Sequence, residues 1–144
     1  MRNILSVATL CCLLPLGLTP NAAFAAGFKP IALKCQVLKN TQVDPFGVWS
    51  DAEIADAKDD GWSDTAKVCV GQMAVKGNTY FVTMLTGSGC STSVCPVRVT
   101  KSGSNKKRQV LTTDMMCASP DYYAMNADGS KLKACDQVFD LGGN

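Results

Sequence analysis

Histidine is missing from this sequence altogether. Its absence excludes Ser-His-Asp and Cys-His catalysis and removes the commonest general base and the commonest metal ligand. The spacing C-x-x-C is also missing, so neither a redox motif nor a paired zinc knuckle is indicated. We therefore expect no catalytic residue, no metal site and no cofactor, and we interpret the protein as non-enzymatic.

A strong net charge is absent as well. The 144 residues include 14 basic and 12 acidic side chains, which gives a formal net charge of +2. This balance does not indicate binding to nucleic acid or to an anionic bilayer. Acids are concentrated between Asp44 and Asp64, and bases between Arg98 and Lys133. We therefore expect the folded domain to have an acidic side and a basic side.

The one long apolar run lies at the N-terminus. Arg2 gives a positively charged start, Ile4 to Leu18 is uncharged, and Ala23-Phe24-Ala25 fits the small-x-small rule for signal peptidase. The run is shorter than the roughly 20 residues that span a bilayer. We predict a cleaved signal peptide over residues 1–25 and one mature domain over residues 26–144. The leader is typical of bacteria, so we expect a periplasmic or secreted protein without stable membrane insertion.

Eight cysteines are present, and two of them, Cys11 and Cys12, lie inside the predicted leader. In an exported chain, the even number that remains favours a framework of three disulfides. Six cysteines allow fifteen pairings, and the sequence does not choose among them. The pairing that we favour is Cys35–Cys69, Cys90–Cys95 and Cys117–Cys135.

One helix is clearly indicated, over about residues 51–59. Ser50 is a good N-cap, and Glu53, three residues later, can complete a capping box. Trp49 and Ile54 have the spacing of a hydrophobic staple. Gly61 is expected to end the helix.

Most of the remaining chain alternates polar residues with β-branched or aromatic ones, which predicts strands. Turn residues such as Lys76-Gly77-Asn78 and Ala127-Asp128-Gly129-Ser130 indicate hairpins between them. The predicted fold class is therefore α+β, an antiparallel meander of six or seven strands with one N-terminal helix and three disulfides. The expected strands span residues 31–38, 67–75, 79–86, 96–101, 107–113, 122–126 and 131–139.

Three motifs that could carry chemistry match poorly. Paired carboxylates can catalyse hydrolysis, but the single glutamate, Glu53, is better explained as a capping residue. A calcium loop beginning at Asp56 would place Lys58 and Lys67 where an EF-hand has oxygen ligands. Ser104-Asn105-Lys106-Lys107 matches S-x-x-K but falls in a predicted turn rather than on a helix. A small envelope hydrolase without histidine stays open only as an alternative.

The segment closed by Cys90 and Cys95 is the best candidate for a binding site. It lies between two predicted strands, with glycines before it and Pro96 after it. A disulfide would stiffen the loop, and a rigid loop loses little entropy when it docks into a partner. Alternatively, the bridge only clamps a connection between strands. The predicted partner-binding residues are Ser91, Thr92, Ser93 and Val94.

Around this loop the chain resembles the proteobacterial periplasmic inhibitors of vertebrate lysozyme. Those are exported proteins with a helix packed on an antiparallel sheet. Their disulfide-closed loop of C-x4-C spacing, matched here by Cys90 and Cys95, projects between two strands into the lysozyme cleft. The family's loop contains a histidine and an acidic residue, whereas this loop has Ser91 to Val94. The resemblance implies lysozyme inhibition as an alternative function.

The leading hypothesis is an exported, non-enzymatic protein-binding module. It would present the rigid, disulfide-closed loop to a protein or cell-envelope component. The sequence does not identify that partner.

Overall fold

The computed structural model describes residues 27–38, 47–58, 66–105 and 107–142. The predicted signal peptide, residues 1–25, lies outside these ranges. In the described residues, one helix accompanies nine strands. The elements are β1 (Phe28–Ile31), β2 (Lys34–Val37), α1 (Asp51–Lys58), β3 (Lys67–Val75), β4 (Asn78–Thr86), β5 (Val94–Ser102), β6 (Arg108–Cys117), β7 (Tyr123–Asn126), β8 (Lys131–Ala134) and β9 (Gln137–Asp140).

The strands form two antiparallel sheets. The larger sheet has the order β2-β3-β4-β5-β6, and the smaller has the order β1-β7-β8-β9. Alternate side chains of a strand point to opposite faces, and the inward-facing sets of the two sheets share one apolar core. Its fully buried members include Val82 and Val97 from the larger sheet and Tyr123 and Met125 from the smaller one. The two sheets therefore pack face to face as a sandwich.

Helix α1 covers part of the outer face of the larger sheet. The predicted capping box is present, because the Ser50 N–H donates to Glu53 Oε2 (2.8 Å) and the Glu53 N–H donates to Ser50 Oγ (3.3 Å). The staple residues Trp49 and Ile54 are buried in a second apolar cluster together with Leu85 of β4. An eight-residue helix is marginal on its own, so this packing stabilises it. The predicted stop at Gly61 lies outside the described residues.

The arrangement corrects the expected single meander. The described ranges hold nine strands rather than six or seven, and the fold is mostly β, so the α+β class is matched only in part. The segment 31–38 is divided between the two sheets, since Ile31 pairs with β7 and Lys34 pairs with β3. The segment 131–139 turns back at Cys135, whose φ of 50° lies in the left-handed region. Ala32-Leu33 at the first break contains no turn residue, and at the second break Asp136 is the only one.

Three disulfides connect these elements. Cys35–Cys69 joins β2 to β3, and Cys90–Cys95 closes the connection between β4 and β5. Cys117–Cys135 joins the end of β6 to the turn between β8 and β9 and so ties the two sheets together. These are the three pairs favoured above, and such a framework is typical of an oxidising, exported compartment. The helical structure in the described ranges includes no segment with the length and apolarity needed to cross a membrane.

The larger sheet has two ends that differ in their turns. At one end, Lys76 and Gly77 connect β3 to β4 with φ of 48° and 76°, as expected for a type I′ turn. The connection between β5 and β6 lies at this same end because successive strands are antiparallel. We name it the hairpin end. The opposite end carries residues 87–93 between β4 and β5, and we name it the Cys-loop end.

Candidate functional site

The Cys loop, residues 87–93 with the Cys90–Cys95 bridge, is closed by its own backbone. The Cys90 N–H donates to the Gly87 carbonyl (3.0 Å), and the Ser91 N–H donates to the Val94 carbonyl (2.8 Å). The second of these bonds turns the tip back toward β5. Together with the disulfide, the two bonds define the loop without help from its exposed side chains.

The start of the loop rests on the C-terminal end of α1. A helix leaves its last carbonyl groups without intrahelical partners. Here the Ser88 N–H donates to the Ala57 carbonyl (3.1 Å), and the Ser88 hydroxyl donates to the Asp56 carbonyl. Gly87 permits this close approach, since its φ is +147° and a Cβ would lie 2.1 Å from the Ala57 carbonyl oxygen. The loop therefore serves as the cap of the helix.

The far side of the loop is bonded to the chain that follows β6. The Ala118 N–H donates to the Ser93 carbonyl (2.9 Å). The preceding residue, Cys117, is disulfide-bonded to Cys135, and its carbonyl accepts a hydrogen bond from the buried Tyr123 hydroxyl. Burial raises the pKa of Tyr123, so this hydroxyl stays protonated and remains a donor. Through these bonds the loop is connected to the smaller sheet.

Three of the four predicted contact residues lie at the surface. Ser91, Thr92 and Ser93 are exposed. Val94 is half-buried and belongs to β5, where it pairs with Cys117. The exposed tip is thus Ser91–Ser93, and Val94 lies in the framework that supports it.

Two open grooves adjoin the Cys loop. The larger has a volume of about 610 Å³ and follows the loop toward Ala118. Its described lining residues include no charged side chain, and four of them carry hydroxyl groups. We name it the hydroxyl groove, and those four residues are Thr86, Ser88, Ser91 and Thr92.

The smaller groove, of about 320 Å³, lies between the loop and α1. The helix contributes Glu53, Asp56 and Ala57, whose i, i+3, i+4 spacing places them on one side of the helix. We name this space the acidic groove. The remaining described lining residues are Trp49, Leu85, Ser88, Gly89 and Pro96.

Glu53 is held in the acidic groove by Arg98 from the outer face of β5. Arg98 Nη2 lies 2.9 Å from Glu53 Oε1, and the arginine side chain is only 17% exposed. The guanidinium also lies over the Trp49 ring, 4.5 Å from its centroid, and donates to the Val48 carbonyl. Burial alone would raise the pKa of the Glu53 carboxyl, but hydrogen bonds from Ser50 and Arg98 outweigh it and lower the pKa below its ordinary value of 4.5. Glu53 is therefore ionised and already paired.

Comparison of the chain with protein-family models, with curated proteins and with solved structures found no match. The chemistry of the site must therefore be derived from its own residues. The Ser88 hydroxyl is engaged by a helix carbonyl, and neither groove includes a lysine among its described lining residues. The described residues contain no group of three or more side chains able to bind a metal ion. Asp56 and Lys58 lie within α1, so they do not form the start of a calcium loop. The Cys-loop end thus combines a fixed, exposed tip with two open grooves.

Sequence reasoning located the loop but missed Arg98 and the acidic groove. The alternation in β5 places Arg98 opposite the buried Val97 and Val99, which is typical of a solvent-facing residue. That face is covered only because α1 packs on it, and this tertiary contact leaves no pattern in β5. The available hint was Trp49, an apolar residue directly before a helix cap, which needs a surface to cover it.

Proposed function

We propose that this protein is an exported, non-enzymatic binding module that contacts a protein partner through its Cys-loop end. The observation that carries the proposal is a loop tip that is exposed yet fixed. Ser91, Thr92 and Ser93 face solvent, while the disulfide and backbone hydrogen bonds to α1 and to Ala118 hold the loop from both sides. Because such a loop is already ordered, it loses little entropy on binding.

The shape of this end supports a macromolecular partner. Small-molecule sites bury most of their ligand in a closed, largely apolar pocket, whereas both grooves here are open to solvent. The Cys-loop end instead offers a partner a projecting tip to surround and two grooves to fill. The proposed partner is therefore a macromolecule, a protein or another component of the cell envelope, and we favour a protein.

Export is supported by the disulfide framework and by the predicted leader. Three disulfides form and persist in oxidising compartments. Together with the signal peptide predicted over residues 1–25, this framework leads us to propose that the protein works in the periplasm or the medium of a bacterium.

The test begins with affinity capture of partners from envelope and host extracts, using the oxidised protein. Each captured partner is then titrated against a variant with alanine at Ser91, Thr92 and Ser93, which keeps Val94 and the backbone bonds. We expect this loop variant to bind about ten-fold more weakly, because it removes three hydroxyl groups whose hydrogen bonds to a partner contribute about 1 kcal/mol each at most sites.

The matched control is a variant with alanine at Gln72, Ser104 and Gln109, three exposed polar residues toward the hairpin end of the larger sheet. It should bind each partner within about two-fold of the wild type. Equal binding by the loop variant and the wild type, for every captured partner, would contradict the proposal.

Inhibition of lysozyme is a second candidate, and one observation favours it. The Cys90–Cys95 loop projects from between two antiparallel strands at the end of a sheet, as in the inhibitor family that the chain resembles. The oxidised protein should then slow the clearing of a cell-wall suspension by vertebrate lysozyme, and the loop variant should not. An unchanged rate of clearing at saturating protein would exclude this candidate.

The histidine-free hydrolase has less support. Its serine would need a base, but the Ser88 hydroxyl donates to a helix carbonyl and Ser91 Oγ accepts from the Val94 N–H (3.4 Å). Neither hydroxyl is hydrogen-bonded to a lysine or a carboxylate in the described part of the chain.

A further inference from the structure

The two carboxylates of the acidic groove differ in their partners. Glu53 is paired with Arg98 and capped by Ser50. The backbone carbonyl of Asp56 accepts a hydrogen bond from the Ser88 hydroxyl. The side-chain carboxylate of Asp56, however, makes no ion pair with any cation in the described ranges. Because Glu53 and Arg98 neutralise each other, Asp56 gives the groove a net negative charge.

Much of the remaining lining of this groove is apolar. It includes Leu85, which is only 5% exposed, together with Ala57 and Pro96. A carboxylate beside an apolar surface is suited to a side chain with a long aliphatic stem and a cationic end, since such side chains lay the stem on apolar atoms and keep the charge at a polar edge. Lysine and arginine have this form.

The size and position of the groove match a single side chain of a larger partner. Its volume is about 320 Å³, at the lower end of the range for small-molecule sites. A groove of this volume is too small to hold a whole strand or helix. Ser88 lines both this groove and the hydroxyl groove. A protein that contacts the tip and fills the hydroxyl groove therefore also reaches Ser88, at the edge of the acidic groove.

We propose that the acidic groove receives a basic side chain, arginine or lysine, of the protein that docks on the Cys loop, and that this side chain pairs with Asp56 while its stem lies on Leu85 and Pro96. The inference rests on the proposed function for the identity of the partner as a protein. The preference of the groove for a cation follows from its own residues and is tested separately.

The test is a nuclear magnetic resonance titration of the oxidised, ¹⁵N-labelled protein with N-acetyl-arginine amide. Addition of this probe should shift the amide signals of Ala57, Ser88 and Gly89. N-acetyl-citrulline amide, which has the same shape without the charge, should leave them in place. An absence of shifts at these amides with the arginine probe, or equal shifts with both probes, would overturn the inference.

Two matched variants separate the groove from the general charge of the helix. Asp56→Asn removes the carboxylate of the groove that is not paired with Arg98. It should lower the affinity for the arginine probe about three-fold, as expected for an exposed ion pair. Asp51→Asn removes an exposed carboxylate of the same helix that does not line the groove, and it should bind as the wild type does. An equal loss in both variants would mean attraction to net charge and would overturn the inference.

The loop variant with alanine at Ser91, Thr92 and Ser93 distinguishes this inference from the proposed function. It should bind the arginine probe as the wild type does while losing its captured partner. If it keeps the partner, the proposed function fails even though the groove binds the probe. If it loses the partner but the wild type does not bind the probe, the groove inference alone fails.

Discussion

The two ends of the larger sheet are held by different kinds of contact. At the hairpin end, the turn uses its own residues: Lys76 and Gly77 adopt positive φ, and the Asn78 amide donates to the Lys76 carbonyl. At the Cys-loop end, the connection is bonded to a helix and to Ala118, which follows β6, and Ser88 reaches a residue 32 positions earlier in the chain. A hairpin turn is thus a local structure, whereas the Cys loop depends on the tertiary fold. Equivalent substitutions should therefore cost more at the Cys-loop end.

The largest difference is expected between two glycines. Gly87→Ala should lower the free energy of unfolding by about 3 kcal/mol, because the new Cβ would overlap the Ala57 carbonyl in addition to straining the backbone. Gly77→Ala also strains a positive φ, of 76°, but its Cβ would meet no atom within 4 Å, so about 1 kcal/mol is expected. Urea unfolding with intact disulfides measures both. Equal losses of unfolding free energy in the two variants would mean that the close contact between Gly87 and the Ala57 carbonyl does not add to the cost of the substitution.

Two arginines give the next comparison. Arg98→Met should cost about 2 kcal/mol, because it leaves the Glu53 carboxylate without its ion pair and removes the hydrogen bond to Val48. Arg108 lies over the Phe81 ring, 4.7 Å from its centroid, and is exposed. Arg108→Met should therefore cost about 0.5 kcal/mol. If urea unfolding finds Arg98→Met as mild as Arg108→Met, the helix does not depend on this arginine for its attachment.

Two buried tyrosines test the connection between the loop and the smaller sheet. Tyr123→Phe leaves the Cys117 carbonyl without its donor and should cost about 1.5 kcal/mol. Tyr80 is also buried, at 6% exposure, and lies near the hairpin end. Tyr80→Phe should cost less than about 0.5 kcal/mol. Calorimetry on the oxidised proteins gives both values, and a larger loss at Tyr80 would reverse the comparison between the two ends.

The smallest expected effect is the dependence of stability on pH. Folding lowers the pKa of Glu53 below 4.5, so its contribution is present above that pH and is lost as the pH falls through the lowered folded value. The free energy of unfolding of the wild type should then fall more steeply with acid than that of Glu53→Gln. Urea unfolding at a series of pH values between about 6 and 2 measures the two slopes.

Asp128 is the control for this effect at the hairpin end. Hydrogen bonds from the Ser130 hydroxyl and N–H lower the pKa of this exposed carboxyl as well. The charge of Lys76 also lowers this pKa, by a smaller amount. Salt screens such an attraction between exposed charges but not the hydrogen bonds, so the Lys76 part of the difference between wild type and Asp128→Asn should be lost in about 1 M salt. The difference for Glu53→Gln should persist in part, because Arg98 is largely buried. If about 1 M salt abolished the difference in stability between wild type and Glu53→Gln, this distinction between the two carboxyls would be contradicted.

The local features of the fold were predictable because adjacent residues specify them. The Ser50–Glu53 capping box, the staple of Trp49 with Ile54 and the turn at Lys76-Gly77 all follow from side-chain chemistry within five residues. The position of the candidate loop was equally local, since Cys90 and Cys95 delimit it in the sequence.

The division into two sheets was not predictable, for a physical reason. Ile31 pairs with β7 and Lys34 pairs with β3, and this division depends on how the two sheets pack together. Ala32-Leu33, between them, contains no turn residue that marks the break. Cys135 adopts a left-handed φ that usually calls for glycine or asparagine. The acidic groove, likewise, exists only after α1 and the loop have met.

The bonds that shape the Cys loop are almost all made by backbone atoms. The carbonyls of Ala57, Gly87, Ser93 and Val94 accept them, and the side chains of Ser91, Thr92 and Ser93 accept at most one weak bond. Replacement of these three residues should therefore change what the tip presents without changing its conformation. Because the frame is made of backbone bonds, the tip can carry different side chains at little cost in stability.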